Sequence, residues 1–275
     1  MIETASHGTV TLTIENRLAH VQINRPEKLN SLTKEVFEDL VEMGQRLRGD
    51  ESVACVVITG AGRAFCAGLD VSEFQKMQEG ATSEAVVLSE RLGAARALGQ
   101  KSVHVWSLVE VPVIVGVHGV AYGGGLQLAI GADIAIVAPD AKLSMMEINW
   151  GIAPDLTGTQ ILPRRIGSSQ AKLLTFTGEV FSGERAGEIG VADEVHDNPV
   201  ERALELGREI AEKSRSALVW SKRLIDMADT AELAEGLDAE QEALAELMGG
   251  PEQVEAVNKR MAEMAERKAQ SASRT

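Results

Sequence analysis

The chain has 275 residues, 44% of them hydrophobic and 25% charged, an ordinary globular composition at a length that calls for one large core or a core with an appendage. A formal net charge of −14 argues against a general nucleic-acid binder, which would carry a basic face, although a local basic patch can still hold phosphates. No run approaches the roughly 20 apolar residues of a membrane helix, "MIETASHGTVTL" lacks an export pattern, and Cys55 and Cys66 form no disulfide framework, so a reducing cytoplasm is expected.

Along the chain, "GTVTLTIENRLAHVQINRP" reads as a hairpin, with alternating apolar residues on each side of Glu15-Asn16-Arg17 and Pro26 closing it. The stretch "SLTKEVFEDLVEMGQRLRGD" places Leu32, Val36, Leu40, Met43 and Leu47 on one face of an amphipathic helix. Val53 to Gly60, "VACVVITG", is a nearly continuous β-branched run of the kind a buried strand needs, and "VPVIVGVHG" and "DIAIVAP" repeat it. Strands separated by helices predict an α/β core with its chemistry in loops at strand ends. After about residue 200 helix formers dominate, Pro251 opens a further helix, and the final "KAQSASRT" is expected to fray. Such a region packs on a neighbouring subunit or covers its own core.

Two glycine-bearing loops follow buried strands. In "VPVIVGVHGVAYGGGLQLAIGAD" the triple glycine sits at a strand-to-helix turn, where unpaired N–H groups and the positive dipole end suit an oxyanion or a phosphate. No P-loop Gly-Lys-Ser/Thr is present, and Phe65 stands where a dinucleotide fingerprint after Gly60-Ala61-Gly62 needs its third glycine. In "GAGRAFCAGLD" the Ala67-Gly68 pair offers a second close-approach backbone, and Asp70 with Glu73 predicts a capping box opening the next helix. Two backbone donors from separate loops are what an acyl-transfer or enolate-forming site requires.

"AHVQINRPEKLNSL", "GAGRAFCAGLD", "HGVAYGGGLQLA", "MMEINWGIAPDLTGTQILPRRIG" and "FTGEVFSGERAGEIGVADEV" occur in that order, and together they resemble the crotonase, or enoyl-CoA hydratase/isomerase, superfamily. The resemblance runs from about residue 10 to 200, and the helical tail also fits. It implies an α/β spiral of ββα units over residues 1–200 and a C-terminal α-helical oligomerisation region over 201–275, which in the family builds trimers or pairs of trimers. By the same resemblance the substrate is an acyl-CoA thioester, no separate cofactor is needed, and the N–H groups of Leu69 and Gly124 form the oxyanion hole. The loop Ala67-Gly68-Leu69-Asp70 would line the CoA site, with the Ala67 carbonyl near the adenine. Lys28 would meet a phosphate, unless it is simply solvated.

Hydratases of the family hold their water between two glutamates. Only the second is present here, as Glu147; the first is Gln127, which takes no proton at neutral pH. Asp155, eight residues after Glu147, resembles the second carboxylate of dienoyl-CoA isomerases, unless it caps a turn after Pro154. Met145, Met146, Ile148 and Trp150 are expected to make an apolar pocket that raises carboxyl pKa values. "EINWGI" is similar to hydroxycinnamoyl-CoA hydratase-lyases, whose "PPG" is replaced here by "APD". Cys66 reads as packing, His118 as a hydrogen-bonded core histidine, and His7, His20, His104 and His196 show no metal-ligand spacing. The expectation is double-bond isomerisation through Glu147 and Asp155. Hydration of a trans-2-enoyl-CoA in fatty-acid degradation, and a non-catalytic acyl-CoA binder, stand as alternatives.

Overall fold

The computed structural model describes residues 2–79 and 86–272. Among them, β1 (Ile2–Thr4), β2 (Val10–Glu15) and β3 (Leu18–Ile23) pair antiparallel, and the turn between β2 and β3 places Asn16 and Arg17 at φ 50° and 67°. A 3-10 turn at Pro26–Lys28 leads to helix α1 (Lys34–Leu47). Next come β4 (Cys55–Gly60), α2 (Val71–Gln78), a hairpin of β5 (Leu88–Leu92) and β6 (Ala95–Ala97), and α3 (Leu98–Ser107). The chain continues through β7 (Val113–Val117), β8 (Val120–Tyr122), α4 (Gly124–Ile130), β9 (Ile134–Val137) and β10 (Lys142–Ser144). A 3-10 turn at Glu147–Trp150 precedes α5 (Gly158–Ile166), α6 (Ser168–Thr177), β11 (Phe181–Ser182), α7 (Gly183–Ile189) and β12 (Glu194–Val195). Helices α8 (Pro199–Ala211), α9 (Arg215–Met227), α10 (Leu233–Leu247) and α11 (Pro251–Ala272) complete the described chain.

The described strands form a seven-stranded sheet, β1-β2-β3-β4-β7-β9-β12, parallel from β3 onward. Its central strands are apolar without interruption because both faces are covered. Val56, Ile58, Val113, Val115 and Val117 turn to the larger core with α1 and α3, while Cys55, Val57, Ile114 and Ile136 turn to α8. Helix α8 spans residue 200, so the layer that covers the core runs on through Ala211. Beyond it, α10, the turn after it and α11 expose Leu233, Leu237, Leu244, Met248, Val254, Val257, Met261 and Met264. Helix α11 runs into the segment "KAQSASRT" as far as Ala272; residues 273–275 lie outside the described residues. Among the described residues no helix is long and apolar enough to cross a membrane.

A second, small sheet, β8-β10-β11, stands beside the large one. Cys66 joins it through a parallel bridge to Ala121. Each pass of the chain therefore lays down a long strand, then a short one, then a helix or turn: β4 with Cys66, β7 with β8, β9 with β10. That repeat is a spiral of ββα turns, and the short strands fix where the loops after them end up.

Candidate active site

Cys66 lies level with Ala121, and Tyr122 with Ser144, so three successive turns of the spiral are in register as they leave the small sheet. Three residues further on, these turns deliver Leu69, Gly124 and Glu147, respectively beyond Cys66, Ala121 and Ser144. The surrounding backbone is consumed by pairing: Cys66 N–H donates to Val120 O at 3.0 Å, Tyr122 N–H to Cys66 O at 3.1 Å, and Gly123 N–H to Ser144 O at 2.8 Å. The N–H groups of Leu69 and Gly124 have no hydrogen-bond partner among the described residues. Gly124 is the first residue of α4, where an N–H has no partner within the helix.

The glycines serve packing as well as approach. A Cβ at Gly125 would run into the Cys66 carbonyl, so α4 can lie against the loop before Leu69 only with a bare backbone. Gly123 has φ +50°, and a Cβ there would stand 3.2 Å from Glu147 Oε1.

These groups face a cavity of about 300 Å³. Ala67, Gly68, Leu69 and Gly124 line it, as do Gln127, Glu147 and Asp155. Glu147 is buried, and its Oε1 accepts a hydrogen bond from Gln127 Nε2 at 2.6 Å. Its Oε2 is buried without a partner among the described residues. Burial raises the Glu147 pKa; hydrogen bonds from its own N–H and from Gln127 pull the other way, and the charge of Asp155 adds to the rise. Asp155 is pushed upward too, by the apolar walls around it, but it is exposed and solvent tempers the push.

Gln127 is fully buried, and its amide orientation follows from its partners. Its Oε1 accepts the N–H groups of Leu156 and Gly158, both at 2.9 Å, so it must be the oxygen, and the NH2 group meets Glu147. Between those two amides Thr157 holds φ +79°, a left-handed value that a β-branched residue rarely adopts. Gln127 therefore clamps a strained turn next to Asp155 while it holds Glu147.

The enoyl-CoA hydratase/isomerase family model matches residues 13–270. This chain belongs to that family. It is 32% identical over 253 residues to the short-chain-enoyl-CoA hydratase of Clostridium acetobutylicum, covering 91% of this chain and 93% of the relative. It is 34% identical over 233 residues to the 1,2-epoxyphenylacetyl-CoA isomerase of Escherichia coli, covering 83% and 86%. Among solved structures, an enoyl-CoA hydratase from Bacillus anthracis superposes with a TM-score of 0.80 at 26% identity, covering 93% of this chain and 96% of that one. The spiral is thus the crotonase fold, and the protein is an enzyme of the hydratase/isomerase family.

Other residues of the expected site stand apart from this cavity or line it only in part. Asp70 does not line the cavity: its carboxylate accepts from Ser31 Oγ at 2.6 Å and from the N–H and Oγ of Ser72, with Arg25 at 3.5 Å. Burial alone would raise its pKa, but those hydrogen bonds and the Arg25 charge outweigh it and hold the value at about 2. The expected capping box is half formed, because Asp70 caps the Ser72 N–H while Glu73 turns to Lys76 at 2.6 Å and the Asp70 N–H goes to Leu32. Lys28 is exposed at the end of its 3-10 turn and does not line the cavity. Of the expected apolar pocket, Met146 and Trp150 line the cavity, Met145 is buried in the core, and Ile148 is exposed beside Gly178.

Burial lifts the Cys66 thiol to about 12, which suits packing rather than nucleophilic attack. His118 Nε2 bonds the Gly62 carbonyl at 2.9 Å and stands outside the cavity. Sequence reasoning missed Val71 and Phe74 of α2, and Ile152, all of which line the cavity. Val71 and Phe74 sit one helical turn apart immediately after the Leu69 loop, and that spacing was the available signal.

Proposed function

We propose that the protein is an acyl-CoA double-bond isomerase. Glu147 Oε2 takes a proton from C2 of a 3-enoyl thioester, and the electron pair moves onto the thioester oxygen, where the Leu69 and Gly124 N–H groups donate to it. As the carbonyl re-forms, the double bond settles between C2 and C3 and Asp155 gives a proton to C4. One proton leaves the chain and one enters, so nothing is added to the substrate. The pair is reset when Asp155 regains a proton from solvent and Glu147 gives up the one it took, so the cycle has no net proton change. The substrate brings its own CoA, and no further cofactor is required.

The observation that carries this reading is the commitment of Gln127. Its oxygen is taken by Leu156 and Gly158 and one of its amide hydrogens by Glu147. What it can still offer a water is its other N–H, which would occupy a lone pair of the very oxygen that must attack. Asp155, not residue 127, is the second carboxylate on the cavity.

Hydration of a trans-2-enoyl-CoA is the second reading, favoured by the likeness to the short-chain-enoyl-CoA hydratase. A non-catalytic acyl-CoA binder fits less well, since it has no use for a buried carboxylate with a bare oxygen. The exposed apolar residues of α10 and α11 support assembly of a homotrimer or homohexamer, and a cytoplasmic location is proposed with it. The test is a paired assay of the wild type. Conjugated-enoyl absorbance should rise with a trans-3-enoyl-CoA and fall only slowly with a trans-2-enoyl-CoA; rapid loss in the second arm with no gain in the first would overturn isomerisation.

A further inference from the structure

Four residues, Val71, Phe74, Trp150 and Ile152, line the cavity and at the same time a second hollow bounded by Gln75 and Gln78. The two spaces share one wall, and that wall is a ring stack: Phe74 of α2 and Trp150 of the 3-10 turn lie with centroids 4.2 Å apart and planes 13° from parallel. The packing of the fold does not require these side chains to be where they are. Val71 is 59% exposed and Trp150 50%. Large apolar groups this open, on two elements that face one slot, are positioned to meet an apolar ligand. The inner cavity of about 300 Å³ is at the small end of ligand pockets, so a lengthening acyl group soon reaches the stack and can continue only into the outer hollow.

We propose that the Phe74–Trp150 stack is a ruler for the acyl chain, and that the preferred substrates are thioesters whose apolar acyl group ends against the two rings. The proposal rests on the acyl-CoA reading above and names the substrate class within it. Shorter groups leave the aromatic faces unused. Longer groups must part the rings to enter the outer hollow, and they lose the stacking contact in doing so. The outer hollow shares four lining residues with the cavity that holds the reacting groups, and that adjacency is what assigns it to the acyl tail.

The experiment uses the full chain and saturated acyl-CoA esters of increasing length, which undergo no reaction, with dissociation constants measured by calorimetry. Wild-type affinity is expected to rise about fourfold per added methylene until the rings are reached, then to level or fall. Phe74→Ala should move that optimum to a longer ester. Trp150→Leu removes the stack from the other element and should move it the same way, which keeps the test open if Phe74→Ala does not fold by circular dichroism. An optimum unchanged in both folded variants overturns the ruler, as does affinity independent of length, or no binding of any saturated ester. Failure of isomerisation is a separate result, because a length optimum that the variants shift needs no double-bond movement.

Discussion

The corner of the cavity that holds Leu69, Gly124 and Glu147 and the wall formed by Val71, Phe74, Trp150 and Ile152 are built in different ways. In the corner, position is set by backbone: Cys66 against Ala121, Tyr122 against Ser144, and Gly123 N–H on Ser144 O. In the wall, position is set by side chains, chiefly the contact between the half-exposed Trp150 ring and the partly buried Phe74 ring. Reaction geometry is thus tied to the register of the spiral, with the Gln127 side chain holding the Glu147 carboxylate in place. Choice of acyl group rests on side chains that single substitutions can replace.

The largest break is expected in the corner. Glu147→Gln should lower turnover by roughly 10²–10⁴ while leaving acyl-CoA affinity nearly intact, as read by steady-state kinetics beside calorimetry. The same change should stabilise the fold. Burial raises the folded-state pKa of Glu147 above its unfolded value. Protonation therefore favours the fold, a contribution fully present below the unfolded pKa and lost as pH rises through the folded one. Glu147→Gln stays neutral at every pH, so its melting temperature should exceed that of the wild type at neutral pH and converge with it in acid. A mutant that melts lower at neutral pH would contradict the assignment of burial as the dominant influence.

Asp155→Asn comes next. It should slow the double-bond shift by roughly 10², the low end for general acid catalysis, because water at this exposed position replaces part of its function. Any hydration the wild type shows should suffer less. The wild-type kcat/KM profile should be bell-shaped, with both limbs belonging to the Glu147–Asp155 pair and displaced to higher pH than for free carboxyls, because burial raises both groups.

Gln127 stands beside the corner, bonded to Glu147. Gln127→Leu leaves the Leu156 and Gly158 amides without their acceptor, at a cost of about 1–3 kcal/mol for each buried group, measurable by denaturant unfolding. Gln127→Glu instead places a second carboxyl beside Glu147; the pair should share a proton, moving the acid limb of the profile to higher pH and increasing hydration. An unmoved acid limb in that variant would show that residue 127 does not act on the base. The smallest effect is expected at Lys28, where Lys28→Ala should change KM by less than about fivefold with kcat constant, the scale of an exposed charge contact.

The sequence makes one part of this arrangement visible and hides the other. Runs such as Cys55–Gly60 and Val113–Val117 announce themselves because both faces are buried, and the Asn16-Arg17 turn is flanked by clean alternation. The short strands Val120–Tyr122 and Lys142–Ser144 are three residues each and defined only by partners far along the chain, so periodicity cannot reveal them. Yet they set the level of Gly124 and Glu147. The triple glycine is legible as a turn, but the need for Gly125 comes from the Cys66 carbonyl of another loop. Gln127 reads as a lost carboxylate; that it clamps Leu156 and Gly158 is a long-range backbone fact with no local signature. Met145 and Met146 are adjacent in sequence, and only the fold sends one to the core and the other to the cavity.

The most direct test of the central claim, that a proton is moved along the acyl chain rather than water added, is the product formed by the wild type from a trans-3-enoyl-CoA in deuterium oxide. The account predicts a trans-2-enoyl-CoA that carries solvent deuterium at C4, delivered by Asp155, and no added oxygen. Recovery of the trans-3-enoyl-CoA unchanged and without deuterium, under conditions where a trans-2-enoyl-CoA gains a hydroxyl on C3, would contradict it.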